Sequence, residues 1–222
     1  MLRTYVIVGL SLFTLAGCHH RSHTAQARYY DDGRIKPTIA LVPVIDSTEK
    51  VCIWDLSKEL TQSIAIRLET SDRLFLADSG KAKRIRETLN STHNPFGKDL
   101  SWVKSTSSGQ DFAVFMELLE HTEKPLLTYS GENPENCPTE LNISLRVKVV
   151  DLRATTPKIV LQEIVHEQHH IPRQFTKYHF YQYPWKSTGE NSAFAISPVG
   201  LAHAQLIKKI ASRIEDYILT QL

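Results

Sequence analysis

Apolar and polar residues alternate most regularly between residues 141 and 152. Every second residue of this stretch is apolar and the residues between are mostly polar: Leu141, Ile143, Leu145, Val147 and Val149. A period of two predicts a strand with one buried face. A turn-forming segment follows at 151–157, and residues 158–171, rich in β-branched side chains, are predicted to return as the antiparallel partner.

The first half of the chain alternates between strand and helix patterns. An apolar run at 38–45 predicts a buried strand, in which Pro43 must sit at a bulge or face away from a partner. Apolar residues recur every four positions in the predicted helix 54–69. A second strand at 73–77, a helix at 81–89 that Asp78 and Ser79 can cap, and a third strand at 111–119 follow.

A long amphipathic helix closes the chain. Ser197 and Pro198 form a typical helix start, with an N-cap followed by proline at the first helical position. The predicted element order is β-α-β-α-β-β-β-α, with loops at 90–109 and 120–138. This order predicts an α/β (α+β) fold in which helices cover a mixed β-sheet.

The apolar run at the N-terminus is typical of a targeting signal and is not counted among the elements of the fold. Arg3 precedes an apolar stretch at 5–15 that is too short to span a bilayer but has the order of a signal peptide. Leu15-Ala16-Gly17-Cys18 resembles the lipobox of bacterial lipoproteins. The resemblance implies cleavage after residue 17 and a lipid on Cys18; a signal for soluble secretion that happens to end in cysteine is the alternative.

We therefore expect three parts: a signal peptide at 1–17, a lipidated cysteine with a polar tether at 18–36, and one globular domain at 37–222. Removing the signal peptide leaves 25 basic against 24 acidic residues. A nearly neutral chain lacks the strong positive field that nucleic-acid binding requires, so no nucleic-acid partner is expected.

Two cysteines remain after Cys18. Cys52 and Cys137 would reach an exported compartment where disulfides can form, so they are a candidate pair. Two buried thiols are the alternative, because spacing alone does not establish a bridge.

The segment His166-Glu167-Gln168-His169-His170 fits the H-E-x-x-H pattern of zinc hydrolases. That chemistry needs a helix, which places both histidines on one face one turn apart. Here the motif ends a predicted strand, in which His166 and His170 would stand about 13 Å apart. We therefore expect no catalytic site, no metal and no cofactor; a zinc metallohydrolase, and a looser metal site with His169, His170 and His179, remain alternatives.

An aromatic-rich segment lies between residues 172 and 197. Tyrosine and tryptophan are enriched at interfaces, so four of its side chains are partner-binding candidates: Tyr178, Tyr181, Tyr183 and Trp185. Packing of the same side chains on the chain's own sheet is the alternative.

Three short segments carry a resemblance to a known group: 39–48 (IALVPVIDST), 109–114 (GQDFAV) and 147–153 (VKVVDLR). They are similar to the domain shared by curli-secretion lipoproteins, penicillin-binding-protein activator lipoproteins and the N-terminal domain of TolB. The resemblance implies a lipid-anchored protein of the outer membrane with its domain in the periplasm. His19 after the lipidated cysteine agrees, because aspartate there retains many lipoproteins in the inner membrane.

The expected function is that of a non-enzymatic binding or adaptor module, anchored to the membrane by its lipid. Its partner would be an envelope protein or a peptidoglycan-associated component. The alternatives are the zinc metallohydrolase at 166–170 and a subunit of an oligomeric envelope secretion assembly, which leaves a homo-oligomer open. The 120–138 connection is too polar and proline-interrupted to form a membrane hairpin, which argues against a pore.

Overall fold

A computed structural model describes residues 26–48, 55–89, 93–127, 137–172 and 192–222. The described strands are β1 (Thr38–Leu41), β2 (Ile45–Asp46), β3 (Phe75–Leu76), β4 (Phe112–Pro125), β5 (Thr139–Asp151) and β6 (Lys158–Ile171). The described helices are α1 (Leu56–Ser71), α2 (Ser79–Thr88), α3 (Ser101–Thr106), α4 (Ser192–Ala195) and α5 (Pro198–Leu219). The predicted α+β fold with a mixed sheet is confirmed.

The six strands form one sheet in the order β3-β1-β4-β5-β6, and β2 continues beyond β1 along β4. The pairs among β1, β2, β3 and β4 are parallel, whereas β4, β5 and β6 are antiparallel. The β4–β5 ladder runs from Phe112 opposite Asp151 to Pro125 opposite Thr139, with a register shift between Leu118 and Glu120. These long antiparallel strands place one row of β5 side chains on each face of the sheet.

Pro43 divides the predicted first strand into β1 and β2. Proline has no amide proton, so it cannot donate to a ladder. The amide of Val42 still bonds the carbonyl of Val114 at 3.0 Å, but the amide of Val44 donates to Thr61 Oγ1 at 2.9 Å instead. The chain therefore leaves the ladder at Pro43 and rejoins it at Ile45.

Helices cover both faces. The larger core lies between the sheet and helices α1 and α5, and β5 contributes Leu141, Ile143, Leu145, Val147 and Val149 to it, as the alternation predicts. A smaller core on the other face joins α2 and α3 to residues of β1, β4 and β5, among them Ala40, Ala113, Phe115 and Val150.

Helices α1 and α5 run side by side in the same direction. Glu59 contacts His203 near their N-terminal ends, and Ser71 contacts Glu215 near their C-terminal ends. The N-terminus of each of these helices is capped by a side chain: Asp55 accepts a hydrogen bond from the amide of Lys58, and Ser197 accepts one from the amide of Gly200.

Two predicted loops contain regular structure instead. Residues 101–106 form α3, which starts where Asp99 Oδ1 accepts from the amide of Ser101 at 2.9 Å and which buries Trp102 and Val103. Strand β4 continues through 120–125, which the sequence assigned to a connection. Glu120 and Thr122 lie on a polar side of the sheet, and His121 is buried against His203 on the helical side. Because polar residues occupy both sides, an apolar period could not reveal this part of the strand.

Residues 26–36, assigned to the tether by the sequence, contact the body of the domain. The side-chain amide of Gln26 accepts from the Leu76 amide and donates to the Leu74 carbonyl. Lys36 is buried, and its ammonium group bonds Asp72 Oδ1 at 2.6 Å. Among the described helices, none is both long and apolar enough to cross a membrane.

Candidate functional site

The second face of β5 carries polar side chains where the apolar cluster under α2 and α3 ends. Asn142 and Ser144 are only 5% and 8% exposed, and Lys148 is fully buried. Their neighbours across β4 and β6 are also mostly polar, because Glu120 and His166 lie opposite Ser144. We call this surface, from Glu117 and Arg146 to Glu140 and His170, the polar face.

Glu117 organises the end of the polar face nearest the small core. Its Oε1 accepts a hydrogen bond from Ser47 Oγ at 2.7 Å, and its Oε2 lies 3.3 Å from the Arg146 guanidinium. The same guanidinium lies over the ring of Phe96, 5.0 Å from its centroid. The arginine is therefore held between a carboxylate and an aromatic ring, and its fork cannot swing freely.

A hydrogen-bonded row crosses the middle of the polar face. Ser144 Oγ donates to Glu120 Oε2 at 3.3 Å and lies 2.9 Å from His166 Nδ1. Thr122 Oγ1 donates to the other oxygen of Glu120 at 2.8 Å. Residues from three adjacent strands thus share one network.

A third row lies at the far end. Asn142 Nδ2 donates to Glu140 Oε1 at 3.1 Å. Hydrogen bonds from Asn142, then from Gln168, and the nearby charge of Lys124 hold the pKa of the Glu140 carboxyl below its usual value. The carboxylate at this end is thereby kept ionised and fixed in position.

The middle row resembles a serine nucleophile with a base, but its order is wrong for that chemistry. In a catalytic triad the carboxylate orients the imidazole, and the imidazole takes the hydroxyl proton. Here Glu120 contacts the hydroxyl of Ser144, at 3.3 Å, and not the imidazole of His166, which lies 2.9 Å from the same hydroxyl. The geometry suits recognition by fixed donors and acceptors better than acyl transfer.

The H-E-x-x-H segment lies on strand β6, as the sequence predicts. His166 faces Ser144 on the polar face, whereas Glu167 lies on the opposite face, where its Oε1 bonds Lys209 Nζ at 2.7 Å. A glutamate on the other side of the sheet cannot activate water on a metal held by His166 and His170. The zinc hydrolase hypothesis for this motif is therefore wrong.

The looser metal site with His169, His170 and His179 is not tested, because His179 lies outside the described residues. Successive residues of a strand point to opposite faces, so His169 and His170 diverge. Within the described residues, no group of three or more histidine, cysteine, aspartate or glutamate side chains is placed to hold a metal ion.

A second concave feature lies on the helical side of the molecule. A groove of about 380 Å³ runs between α1 and the α4–α5 segment. Beneath one end, His203 Nδ1 bonds Glu59 Oε1 at 2.7 Å and His203 Nε2 lies 3.0 Å from His121 Nε2. These three buried side chains join α1, α5 and β4 under the groove.

Most of the sequence-predicted site residues lie outside the described part of the chain. They are Cys18, Cys52, Tyr178, Tyr181, Tyr183 and Trp185. Cys137 is described and fully buried just before β5. The lipidation site, the disulfide and the aromatic partner site stay predictions.

Sequence reasoning missed the polar face, although its signal was visible. Asn142, Ser144, Arg146 and Lys148 are the polar half of the alternation that identified β5. The usual assumption places the polar half of such a strand in solvent. Burial of three of these four residues is the feature that marks a site, and burial needs the tertiary structure.

Fold and site define an α+β protein with a three-layer arrangement and a hydrogen-bonded polar surface on its sheet. The chain belongs to the Family of unknown function DUF7499, whose profile matches residues 25–222. No curated protein matches the sequence.

Among solved structures, the hypothetical protein CT253 from Chlamydia trachomatis is 24% identical, with a TM-score of 0.62 over 82% of this chain and 98% of that chain. Lipoprotein GNA1162 from Neisseria meningitidis is 9% identical, with a TM-score of 0.41 over 81% of this chain and 99% of that chain. A minor lipoprotein from Acinetobacter baumannii is 10% identical, with a TM-score of 0.39 over 82% of this chain and 92% of that chain. The likeness to CT253 shows the fold, and the finer resemblance to curli-secretion, activator and TolB domains stays a prediction.

Proposed function

We propose that this chain is a non-enzymatic envelope lipoprotein, exported by residues 1–17 and anchored by lipid on Cys18. Its α+β domain acts as a binding or adaptor module for an envelope protein or a peptidoglycan-associated component, on the periplasmic side of the outer membrane. The outer-membrane assignment rests on the family resemblance of the sequence and on His19.

The observation that carries the binding role is the polar face. Its carboxylates, hydroxyl groups and amides stand on long antiparallel strands and are fixed by the hydrogen bonds among them. Fixed donors and acceptors lose little conformational entropy when a ligand replaces water. Exposed Gln168 and Ile164 on β6 extend the surface with one amide and one apolar side chain.

Anchoring is tested by Cys18→Ser. Two or three acyl chains hold a protein on a membrane, because each buried CH₂ contributes about 0.8 kcal/mol. The unsubstituted chain should incorporate labelled palmitate and sediment with membranes, whereas Cys18→Ser should do neither. An unchanged membrane fraction without label would contradict lipid anchoring and leave the binding role to be judged separately.

Binding is tested from both sides of the molecule. A photo-crosslinking amino acid at Gln168 should give a discrete adduct in cells, and the same amino acid at Gln205, exposed on α5, serves as the control. In vitro, cosedimentation with purified peptidoglycan identifies a cell-wall partner, and Glu120→Gln with His166→Ala should weaken it several-fold. Identical adducts from both positions, together with unchanged cosedimentation, would contradict the polar face as the binding surface.

A homo-oligomer is a further proposal. Strand β6 pairs with β5 along one edge and ends the sheet path of the described residues. An edge of 14 residues is long enough to accept another strand. Native mass spectrometry of the Cys18→Ser chain gives the oligomeric state, and a strictly monomeric spectrum at micromolar concentration would contradict this proposal.

A further inference from the structure

The groove between α1 and the α4–α5 segment has mostly apolar walls, which Ser63 and Thr70 interrupt on the α1 side. Ile66 on α1 and Ala204 and Ile207 on α5 line it, and Phe194 lies beside His203 near one end. Ile66 is 57% exposed, which is a large exposure for an isoleucine next to a concavity. The groove therefore offers a strip of apolar surface that water now contacts.

Positive charge is added to the groove from both helices. Arg67 on α1 and Lys208 on α5 line the same groove, and both residues are exposed. Neither forms an ion pair with a described residue, and neither has an acidic residue three or four positions away on its own helix. Seven other Lys or Arg side chains of the described residues pair with carboxylates: Arg34, Lys36, Arg73, Arg146, Arg153, Lys209 and Arg213.

The register between α1 and α5 shows where the groove residues lie along the helix axes. Contacts of Glu59 with His203 and of Ser71 with Glu215 place positions 144 apart in sequence side by side. Lys208 is therefore level with residue 64, within about one turn of Arg67. At a rise of 1.5 Å per residue, Arg67 stands about 12 Å along the axis from the Glu59 level, so the cations lie at one end and Phe194 with His203 at the other.

We propose that this groove binds a fatty acid, with the acyl chain along Ile66, Ala204 and Ile207 toward Phe194 and the carboxylate between Arg67 and Lys208. A guanidinium and an ammonium group that line one groove from neighbouring helices complement a single anionic head, and the apolar strip complements a hydrocarbon chain. The volume of about 380 Å³ is in the range of small-molecule sites and is too small to enclose a polypeptide helix 10 Å across.

This site is separate from the polar face. Helices α1 and α5 pack on the large-core side of the sheet, whereas Ser144 and His166 lie on the other side. Failure of partner binding at the polar face would leave the fatty-acid site untouched, and the reverse holds as well.

The test uses the full chain with Cys18→Ser, so that no attached lipid competes, and laurate below its micelle concentration as the probe. Calorimetry should show one laurate per chain, and methyl laurate, which lacks the charge, should bind at least tenfold more weakly. Arg67→Gln together with Lys208→Gln should weaken laurate about tenfold, because each exposed ion pair contributes modestly. Lys58→Gln, an exposed cation on α1 outside the groove, is the charge control and should change the affinity less than twofold.

A second pair of variants tests the location. Ala204→Trp places an indole in the groove at an exposed helix position and should abolish laurate binding. Gln205→Trp makes the same addition one residue away, outside the lining, and should leave binding intact. Equal binding of laurate and its methyl ester, full binding by Ala204→Trp with unchanged melting temperature, or absence of binding by the reference chain would each overturn the proposal.

Discussion

Lys148 is a charged side chain without contact to water. Its ammonium group donates to the carbonyls of Pro95 and Gly97 at 2.9 and 3.1 Å and so fastens the segment before α3 to the sheet. Burial, and to a lesser degree the charge of Arg146, lowers its pKa. The same lysine therefore holds the structure together and carries an electrostatic cost at neutral pH.

Replacing Lys148 by methionine should lower the free energy of unfolding by about 1–3 kcal/mol at pH 7, because two buried carbonyls lose their donor. Between the lowered pKa and the ordinary lysine pKa of about 10.4, the unfolded chain binds more protons than the folded chain. The advantage of the unsubstituted chain over Lys148→Met should therefore grow as the pH rises through that window. Urea unfolding from pH 7 to 10 measures this difference in the free energy of unfolding, and Lys158→Met, at an exposed lysine, is the control. A difference between the unsubstituted chain and Lys148→Met that does not change with pH would contradict the argument.

Gly200 stands in the first turn of α5, where the backbone of Phe194 approaches closely. A Cβ there would lie 1.9 Å from the Phe194 carbonyl oxygen. Gly200→Ala should therefore destabilise the fold by about 2–3 kcal/mol, as a forced backbone shift does. Gly80→Ala is the matched control in the first turn of α2, where the atom nearest to a Cβ would be an Asp78 side-chain oxygen at 3.4 Å. Thermal unfolding should show this variant to be as stable as the unsubstituted chain or slightly more stable. Equal losses of stability in both variants would refute the steric explanation.

At the scale of elements, Glu59, His203 and His121 connect α1, α5 and β4 through buried polar contacts. A double-mutant cycle of Glu59→Ala and His203→Ala should give a coupling energy of about 1–3 kcal/mol, since the two groups bond each other out of contact with water. The partly exposed pair of Lys209 and Glu167 also joins α5 to the sheet, and its cycle should give less than about 1 kcal/mol. Similar coupling energies for the two pairs would mean that burial does not strengthen the contact between Glu59 and His203.

The elements that the sequence predicts correctly are those in which local pattern and tertiary environment agree. Strand β5 has one apolar face against the large core, and α5 has a capping Ser197 with Pro198 behind it. Helix α3 and the far half of β4 escape detection, because α3 is short and residues 120–125 pair beside other polar strands. A period of two or 3.6 can be recognised only where the two faces differ in polarity.

The candidate sites were less accessible to sequence reasoning than the fold. The strand assignment of His166 and His170 was enough to argue against zinc, and the structure adds that Glu167 lies on the other face. The network of Glu120, Ser144 and His166 joins residues up to 46 positions apart, and no spacing rule connects them. Such sites depend on the β4–β5–β6 register, which only the folded sheet defines.

At the scale of the whole molecule, a bridge between Cys52 and Cys137 would close a long loop that contains helices α1 to α3 and strands β3 and β4. Cys137 is fully buried just before β5. By chain entropy such a loop would stabilise the folded state by about 4–5 kcal/mol. Peptide mapping without reductant should find the two cysteines joined, and unfolding with reductant should occur at lower urea; two intact thiols in the exported protein would contradict the bridge.

The contacts of Gln26 and Lys36 bear on how far the domain can stand from its membrane. With the lipid on Cys18, as we propose, seven residues lead from the anchor to Gln26, and a fully extended chain of that length covers about 25 Å. The attachment point of the domain then stays within about 25 Å of the membrane surface. Its encounters become lateral collisions with neighbours in the same leaflet, at a raised effective concentration, and molecules farther from the membrane lie beyond its reach.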